Sequence, residues 1–361
     1  MPTPSPSLKG GEDLRGNKYE SQDMSTKEQY ALFCQRNPLM PVTMQPWWLD
    51  AVCAGKQWDV LLIMRSELQS SSWWQRKKEL PAEAEDEIVA ALPYLLSKRL
   101  WYKFVVMPQM TISGGLWLTD ELQAAPDMQE ALAKVLAKKL RELKIAYYYQ
   151  QYPVGNPMPH WLAKQGLTVE QRVTYRLSNV TDIEAVEDAY SKNKKRQIDR
   201  AADLSVDTEM SAEEFYRFHT QCMAERGHKL SYSREFLLVL ERKSAREKAS
   251  QFIRIRQGET TVAAAFVVWD KRYLYYLIPA YLPSEAKSGA SARLADEAIR
   301  LAQQKGLQFD FEGGNNDEGI SNHYRQFGAQ PATYSSVSKL YRPSFAILLW
   351  ANKLREKWKR Y

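Results

Sequence analysis

Two groups of residues between positions 284 and 328 have types and spacings suited to chemistry. The first is a loop of small residues with an arginine just beyond it: Ser288, Gly289, Ala290, Ser291 and Arg293. Because this loop precedes a helical pattern, its free backbone amides and the helix dipole could hold a phosphate, and a plain helix cap is the alternative. The second group is Asp310 and Glu312, either of which could serve as a general base. Carboxylates at the end of a strand also occur as capped or solvated groups.

The elements around these residues are predicted from the spacing of apolar side chains. Leu294 and Leu301 fall on one face of a helix, which Lys305–Gly306 ends. Apolar and polar residues then alternate over 307–312, which predicts a half-buried strand with both carboxylates at its end. A turn rich in Gly and Asn follows, and a short helix ends at Gly328. One continuous unit is therefore expected to bring the two groups together.

The same order of elements occurs twice. Residues 126–177 are predicted to form a helix, a strand, a turn, a short helix with a glycine stop and a second strand, and residues 288–341 repeat this order. The segment HWLAKQG in the first copy matches HYRQFG in the second. An internal duplication is therefore predicted. The first copy has Leu162 where the second has Tyr324, and LQAA where the second has SGAS, so we expect the second copy to hold the chemistry.

This organisation predicts an α/β (α+β) fold with two tandem domains, each a mixed sheet flanked by helices. The hydrophobic content of 44% and charged content of 26% are those of a soluble globular protein. The expected segments are a disordered tail (1–24), an N-terminal domain (25–178), a helical segment (179–250), a C-terminal domain (251–342) and a basic amphipathic helix (343–361).

A tyrosine four residues before a glycine, Tyr324 and Gly328 in HYRQFGA, resembles the closing motif of GNAT-type N-acyltransferases. The wider pattern, KKRQIDRAADLSVDTEM followed by two helical segments and QFIRIRQGETTVAAAFVVW, is similar to the FemAB branch. That branch has tandem GNAT-like domains and includes transferases that attach amino acids to peptidoglycan precursors. The resemblance spans about residues 45–342. It implies a degenerate first domain on the scaffold or acceptor side and a donor site in the second.

The resemblance also implies the reaction. An acyl or aminoacyl group would pass from coenzyme A or an aminoacyl-tRNA to an amine, with a small molecule or a peptidoglycan precursor as acceptor. Tyr324 would protonate the departing thiolate, unless it is a buried structural tyrosine. The small-residue loop has fewer glycines than the usual GNAT pyrophosphate loop, as in relatives that use aminoacyl-tRNA, so both donors stay open. Asp317 stands where GNAT proteins often carry asparagine.

The net charge of +7 is concentrated in two segments, with +4 in residues 191–200 and +5 in residues 342–361. The candidate contacts to an acceptor or a phosphate are Lys195, Arg196, Arg200, Asn315 and Asn316. For the three cations, a solvated helix face is the alternative to a phosphate of a tRNA or of a nucleotide- or lipid-linked acceptor. The C-terminal segment is expected to dock on the protein itself, and peripheral contact with an anionic membrane is the alternative.

Three cysteines without paired spacing indicate a reducing compartment, so a cytoplasmic location is predicted, either free or peripheral at the inner membrane face. No metal site is predicted, because His219 and Cys222 fit one face of a helix. A second hypothesis, from a different class, is a catalytically silent GNAT-fold module that binds nucleic acid or a membrane surface.

Overall fold

The computed structural model describes residues 24–68, 87–314 and 317–358, with side chains to residue 351. The helices are α1 (Thr26–Arg36), α2 (Pro46–Val52), α3 (Asp120–Gln123), α4 (Pro126–Glu142), α5 (Met158–Lys164), α6 (Ile183–Asp188), α7 (Lys192–Arg200), α8 (Ala212–Glu225), α9 (Arg234–Arg246), α10 (Ala290–Gln304), α11 (Glu318–Arg325) and α12 (Phe345–Trp358). The strands are β1 (Gln57–Met64), β2 (Ile88–Arg99), β3 (Tyr102–Val106), β4 (Trp117–Leu118), β5 (Tyr147–Tyr152), β6 (Thr168–Leu177), β7 (Ser205–Asp207), β8 (Ser250–Gln257), β9 (Thr260–Trp269), β10 (Tyr273–Tyr281), β11 (Gln308–Asp310) and β12 (Gln330–Leu340).

The predicted repeat is visible in the element order. The first copy runs α4, β5, α5, β6 and the second runs α10, β11, α11, β12. Each copy follows three antiparallel strands, β1–β3 in one half and β8–β10 in the other, and each half contains a parallel pair, β3 with β5 and β10 with β11. The mixed α/β fold class is therefore confirmed.

The two halves share one continuous sheet, because their closing strands are exchanged. The order is β1-β2-β3-β5-β12-β6-β11-β10-β9-β8-β7. Strand β6 pairs with β11 of the second half, and β12 pairs with β5 of the first. The two exchanged strands also pair with each other over nine registered positions, from Gln330↔Arg176 to Ser338↔Thr168. The domain boundary at residue 178 stays a prediction. In the sheet, each half is closed by a strand that comes from the other half of the chain.

A local separation of two strands opens the second half. Strand β10 pairs with β11 only from Tyr273↔Gln308 to Tyr275↔Asp310, whereas β10 continues to Tyr281. Its pairing with β9 is interrupted by a bulge between Tyr275 and Ile278. Bulges redirect strands and are frequent beside functional sites. Beyond Tyr275, within the described ranges, the edge of β10 that faces β11 has no strand partner.

Apolar packing fixes the elements around this opening. The inner face of α10, including Leu294, Ala298 and Ile299, is buried against strands of the second half. On the other side, Phe215 and Phe218 of α8 and Leu237 of α9 belong to a core that extends into the first half. The opening is thus bounded by elements that are each held by a large core.

Helix α12 packs on the first half through one apolar face. Phe345 is buried against Tyr102, Phe104 and Tyr147, and Leu348 and Leu349 pack beside it. These residues lie at i, i+3 and i+4, which share one helix face. Ile347 and Trp350 lie outside this face and are 70% and 64% exposed. In the part of the chain that is described, no helix has the length and apolarity to cross a bilayer.

Candidate functional site

A cleft of about 470 Å³ lies at the opening beside β10. It is lined by residues of α8 and its C-cap, β10, α10 and α11: His219, Met223, Arg226, Tyr276, Pro279, Ala280, Tyr281, Ser291, Leu294, Gly319, Ile320, His323 and Tyr324. We call it the Tyr324 cleft. Arginine is present among its described lining residues and no aspartate or glutamate is, so the cleft favours an anionic ligand.

Tyr324 is placed with its ring packed and its hydroxyl available. The side chain is 9% exposed and its ring stacks on Phe311 with 4.3 Å between centroids. No described residue exchanges a hydrogen bond with its hydroxyl. Burial raises the pKa of Tyr324 to about 12, and the negative charges of Glu312 and Asp310 contribute. The phenol is thus protonated at neutral pH and has a proton to give.

Glu312 lies beside this tyrosine. Its backbone has a left-handed φ of 54°, which turns the chain sharply after β11. One carboxylate oxygen, Oε2, is buried with no hydrogen-bond partner among the described residues. Burial raises the pKa of Glu312 well above its ordinary value, and the charge of Asp310 adds to the effect. A Cβ added at the next residue, Gly313, would lie 3.9 Å from the Tyr324 hydroxyl oxygen.

The Glu312 carboxylate borders a second, smaller cavity of about 20 Å³ between the halves. Ser113 and Tyr152 of the first half line it, together with Thr174 on the exchanged strand β6. Glu312 therefore lines this cavity, and the next residue, Gly313, lies near the hydroxyl of Tyr324, which lines the other cleft.

Asp310 is fully engaged by its neighbours. Its carboxylate accepts hydrogen bonds from Thr174 Oγ1 at 2.6 Å, Arg176 Nε at 2.6 Å and the backbone amide of Glu312 at 2.8 Å. Both oxygens are thus occupied, and the residue is 3% exposed. This geometry assigns Asp310 the task of holding the Glu312 turn and joining β11 to β6.

The small-residue loop begins α10 as predicted. Gly289 is the N-cap with φ 87°, a conformation that favours glycine. Ser288 Oγ accepts from the amide of Ala290 at 3.2 Å, whereas the amides of Gly289 and Ser291 find no acceptor among the described residues. Ser291 lines the Tyr324 cleft, but Arg293 faces away from it and pairs with Glu297 at 2.7 Å.

The predicted cationic contacts have separate positions on and near α7. Lys195 pairs with Asp188 at 3.4 Å, and Arg200 donates to the carbonyl of Lys287 at 2.6 Å, which ties α7 to the loop before α10. Arg196 is exposed. Helix α7 also crosses the start of α10 closely, because a Cβ added at Gly289 would lie 2.0 Å from the Gln197 carbonyl oxygen. Asn315 and Asn316 lie outside the described residues.

Two histidines of the cleft were not predicted as site residues. His219 Nδ1 lies 2.7 Å from the Tyr232 hydroxyl, and His323 Nδ1 lies 3.1 Å from Lys194 Nζ. Burial lowers the pKa of each ring to about 4. Their sequence positions, 104 residues apart, carry no common signal, because the cleft is assembled from α8 and α11 across the sheet. Within the described ranges, no cluster of three or more metal-binding side chains occurs.

Residues 188–324 match the family model of the acetyltransferase (GNAT) domain. No curated protein matches the chain. Among solved structures, the fold is similar to that of FemX, with a TM-score of 0.64 and 11% identity over 86% of this chain and 96% of that one. It is also similar to the C-terminal domain (DUF2156) of a putative lysylphosphatidylglycerol synthetase from Agrobacterium fabrum, with a TM-score of 0.53 and 11% identity over 91% and 97% of the two chains. A conserved protein of unknown function from Bacteroides thetaiotaomicron VPI-5482 has a TM-score of 0.52 and 9% identity over 81% and 89%. At these identities the structural likenesses concern the fold.

Proposed function

We propose, on the premise that the chain is a GNAT-type acyltransferase of the FemAB-like branch, that it transfers an acyl or aminoacyl group to an amine at the Tyr324 cleft. The observation that carries this proposal is the closeness of the Tyr324 hydroxyl and Glu312 Oε2, neither of which has a hydrogen-bond partner in the described part of the chain. Buried polar groups without partners are uncommon in folded proteins and are frequent where a ligand supplies the partner.

In the proposed reaction, the donor occupies the Tyr324 cleft and the amine reaches its carbonyl carbon near Glu312. The amine nitrogen attacks the acyl carbonyl, so that a C–N bond forms and the bond from carbon to the leaving sulfur or oxygen breaks. Glu312 takes a proton from the amine, and Tyr324 gives its proton to the leaving group. Solvent then returns both side chains to their starting states. Asp310 positions Glu312 and takes no part in proton transfer.

The donor is proposed to be acyl-coenzyme A or aminoacyl-tRNA, both of which carry phosphates. Ser291, whose amide at the start of α10 finds no acceptor among the described residues, and Arg226 both line the cleft and support an anionic donor. The unpaired edge of β10 beyond Tyr275 would accept an extended amide-containing ligand as an added strand. The acceptor is proposed to be a small molecule or a peptidoglycan precursor.

Donor binding tests this proposal directly. We expect acetyl-coenzyme A in calorimetry, or charged tRNA in a filter assay, to bind the protein. Ser291→Phe should fill the cleft and weaken that binding at least about a hundredfold, which is about 2.7 kcal/mol. Ser284→Phe, at an exposed serine shortly before α10, is the matched control and should bind as the unaltered protein does. Failure of both donors to bind would contradict the proposal.

Peripheral membrane contact is a further part of the proposal, supported by exposed apolar side chains near α12. Trp101, in the turn between β2 and β3, is 75% exposed and lies against Tyr102, which contacts Phe345 of α12. Ile347 and Trp350 of α12 are also exposed, and they belong to the cationic segment 342–361. The double variant Trp101→Ser/Trp350→Ser should lose co-sedimentation with phosphatidylglycerol vesicles. Equal sedimentation of variant and parent would rule this surface out.

A silent binding module would differ in the same assays. It would bind nucleic acid or vesicles with strong salt dependence and show no turnover with any donor. Thiol release from acetyl-coenzyme A, or deacylation of charged tRNA that depends on an added amine, therefore separates the two functions.

A further inference from the structure

Lys194 is a buried cation without an acidic partner. It lies on α7 within the basic run 191–200, yet it is 1% exposed, while most of its charged neighbours face solvent. Its ammonium donates to Gln197 Oε1 at 2.8 Å and lies 4.7 Å above the ring of Phe327. No described carboxylate forms an ion pair with it. A buried lysine of this kind is costly, and one is usually retained for a specific task.

The remaining contact of Lys194 is with His323. The ammonium lies 3.1 Å from Nδ1 of the ring. A lysine ammonium can only donate hydrogen bonds, so Nδ1 must accept, and the proton of the neutral ring must then be on Nε2. Burial, followed by the charge of Lys194, lowers the pKa of His323 to about 4, which keeps the ring neutral near pH 7. Burial lowers the pKa of Lys194 to about 8, so this lysine is mostly charged there.

His323 stands next to Tyr324 on α11, and its ring lines the Tyr324 cleft. Its Nε2 has no hydrogen-bond partner among the described residues. Since Nδ1 is turned to Lys194, behind the lining, Nε2 is the nitrogen left for a ligand. We propose that Lys194 is a positioning residue that fixes His323 as the Nε2–H tautomer, and that this N–H binds the carbonyl oxygen of the acyl donor.

The second part of this inference rests on the proposed acyl transfer, and the first part does not. As the amine attacks, the carbonyl π electrons move to oxygen and the Nε2–H hydrogen bond becomes stronger. When the carbonyl re-forms, the electrons of the breaking bond leave with the sulfur or oxygen, which Tyr324 protonates. His323 therefore donates a hydrogen bond throughout and does not transfer its proton. Donors aimed at a developing oxyanion contribute about 10²–10³ in kcat.

The tautomer can be measured without any substrate. Long-range ¹H–¹⁵N spectra of the full chain distinguish Nδ1–H from Nε2–H rings, and His323→Gln assigns the signal among the four histidines. We expect His323 to be Nε2–H at pH 7 and Lys194→Met to produce a mixture of tautomers. His219, held by Tyr232, is the internal control and should not change. An Nδ1–H ring at position 323 in the unaltered protein would overturn the inference even if Lys194→Met failed to fold.

Turnover tests the contact with the carbonyl. We expect His323→Leu to lower kcat by about 10²–10³ with little change in KM, and His323→Gln, whose amide can donate from a similar position, to recover part of the loss. Lys194→Met should lower kcat by less than His323→Leu does. Unchanged kcat in His323→Leu would remove the carbonyl contact while the tautomer assignment stands on the spectra. Absence of turnover in the unaltered protein would count against the acyl-transfer proposal instead.

Discussion

Tyr324→Phe removes one oxygen atom from the cleft and leaves its packing intact. The ring stack on Phe311 and the neighbouring ring of Tyr175 do not involve the hydroxyl. That hydroxyl has no hydrogen-bond partner among the described residues, so its loss strands no buried group. We therefore expect the free energy of unfolding to change by less than about 0.5 kcal/mol.

The expected loss of activity is much larger than this change in stability. A positioned general acid contributes about 10²–10⁴ in rate. At 1.36 kcal/mol per tenfold, this corresponds to about 3–5 kcal/mol in the activation barrier. The pKa of Tyr324, raised to about 12 by burial, means that its ionisation gives no falling limb in the rate profile below about pH 11. The pH profile alone would therefore not reveal the acid.

Varying the leaving group of the donor can instead identify Tyr324 as the general acid. The rate should be measured with donors of increasing leaving-group acidity, from an alkyl thioester to an aryl thioester. The loss of rate in Tyr324→Phe should become smaller as the leaving group becomes more acidic, because a more acidic leaving group needs less protonation. Tyr94→Phe is the matched control, because that tyrosine is also buried, also has a pKa raised to about 12, and lies in the first half. An equal defect with every donor would refute the assignment of Tyr324 as an acid.

Three further substitutions test the surroundings of the cleft. Glu312→Gln should lower activity yet stabilise the fold, because burial raises the pKa of Glu312 in the folded state. The unaltered protein therefore has its full stability below the unfolded pKa of this group and loses stability as pH rises through the folded pKa. The gain in the free energy of unfolding of the variant, measured by urea titration, should grow with pH. Asp310→Asn should instead destabilise by about 1–3 kcal/mol, because the charge paired with Arg176 is lost; equal effects of the two substitutions would contradict their different roles. Gly289→Ala should lower the free energy of unfolding by about 2–4 kcal/mol and weaken donor binding, because the added Cβ would clash with the Gln197 carbonyl. Gly306→Ala is the control: this glycine also has a positive φ but open space around it, so the loss should be only about 1 kcal/mol.

Local pattern was enough to predict the elements that carry the cleft. Helix α10 and strand β11 follow from apolar spacing and a glycine stop, and both are observed, as Ala290–Gln304 and Gln308–Asp310. The strand ends two residues before the predicted position 312, so Asp310 closes it and Glu312 lies in the turn that follows. The start of α10 at a small-residue loop was predicted for the same reason. These features depend on residues within one or two turns of each other, and local physical chemistry determines them.

Pairing between distant segments could not be predicted in this way. The exchange of β6 and β12 joins residues about 160 apart, for example Thr174 with Ala332, and no local pattern encodes such a register. The site residues that were missed have the same origin. Lys194 looked like one cation in a solvated run, and only the packing of α7 against α11 brings it to His323. Asp310 was predicted as a base because the sequence does not show that Arg176 pairs with its carboxylate.

The asymmetry between the two copies has a physical basis beyond the exchange of leucine for tyrosine. In the first half the opening that would correspond to the Tyr324 cleft, between β3 and β5, is filled by the chain's own loop. The amide of Gly114 donates to the carbonyl of Gln151 at 2.7 Å, so this loop pairs with β5 where a ligand would otherwise lie. Gly115 lies against the ring of Tyr152, too close for any Cβ. Leu162, the counterpart of Tyr324, is fully buried. Since the first half uses this part of its β5 edge internally, the proposed donor is expected to lie along β10 rather than along β5.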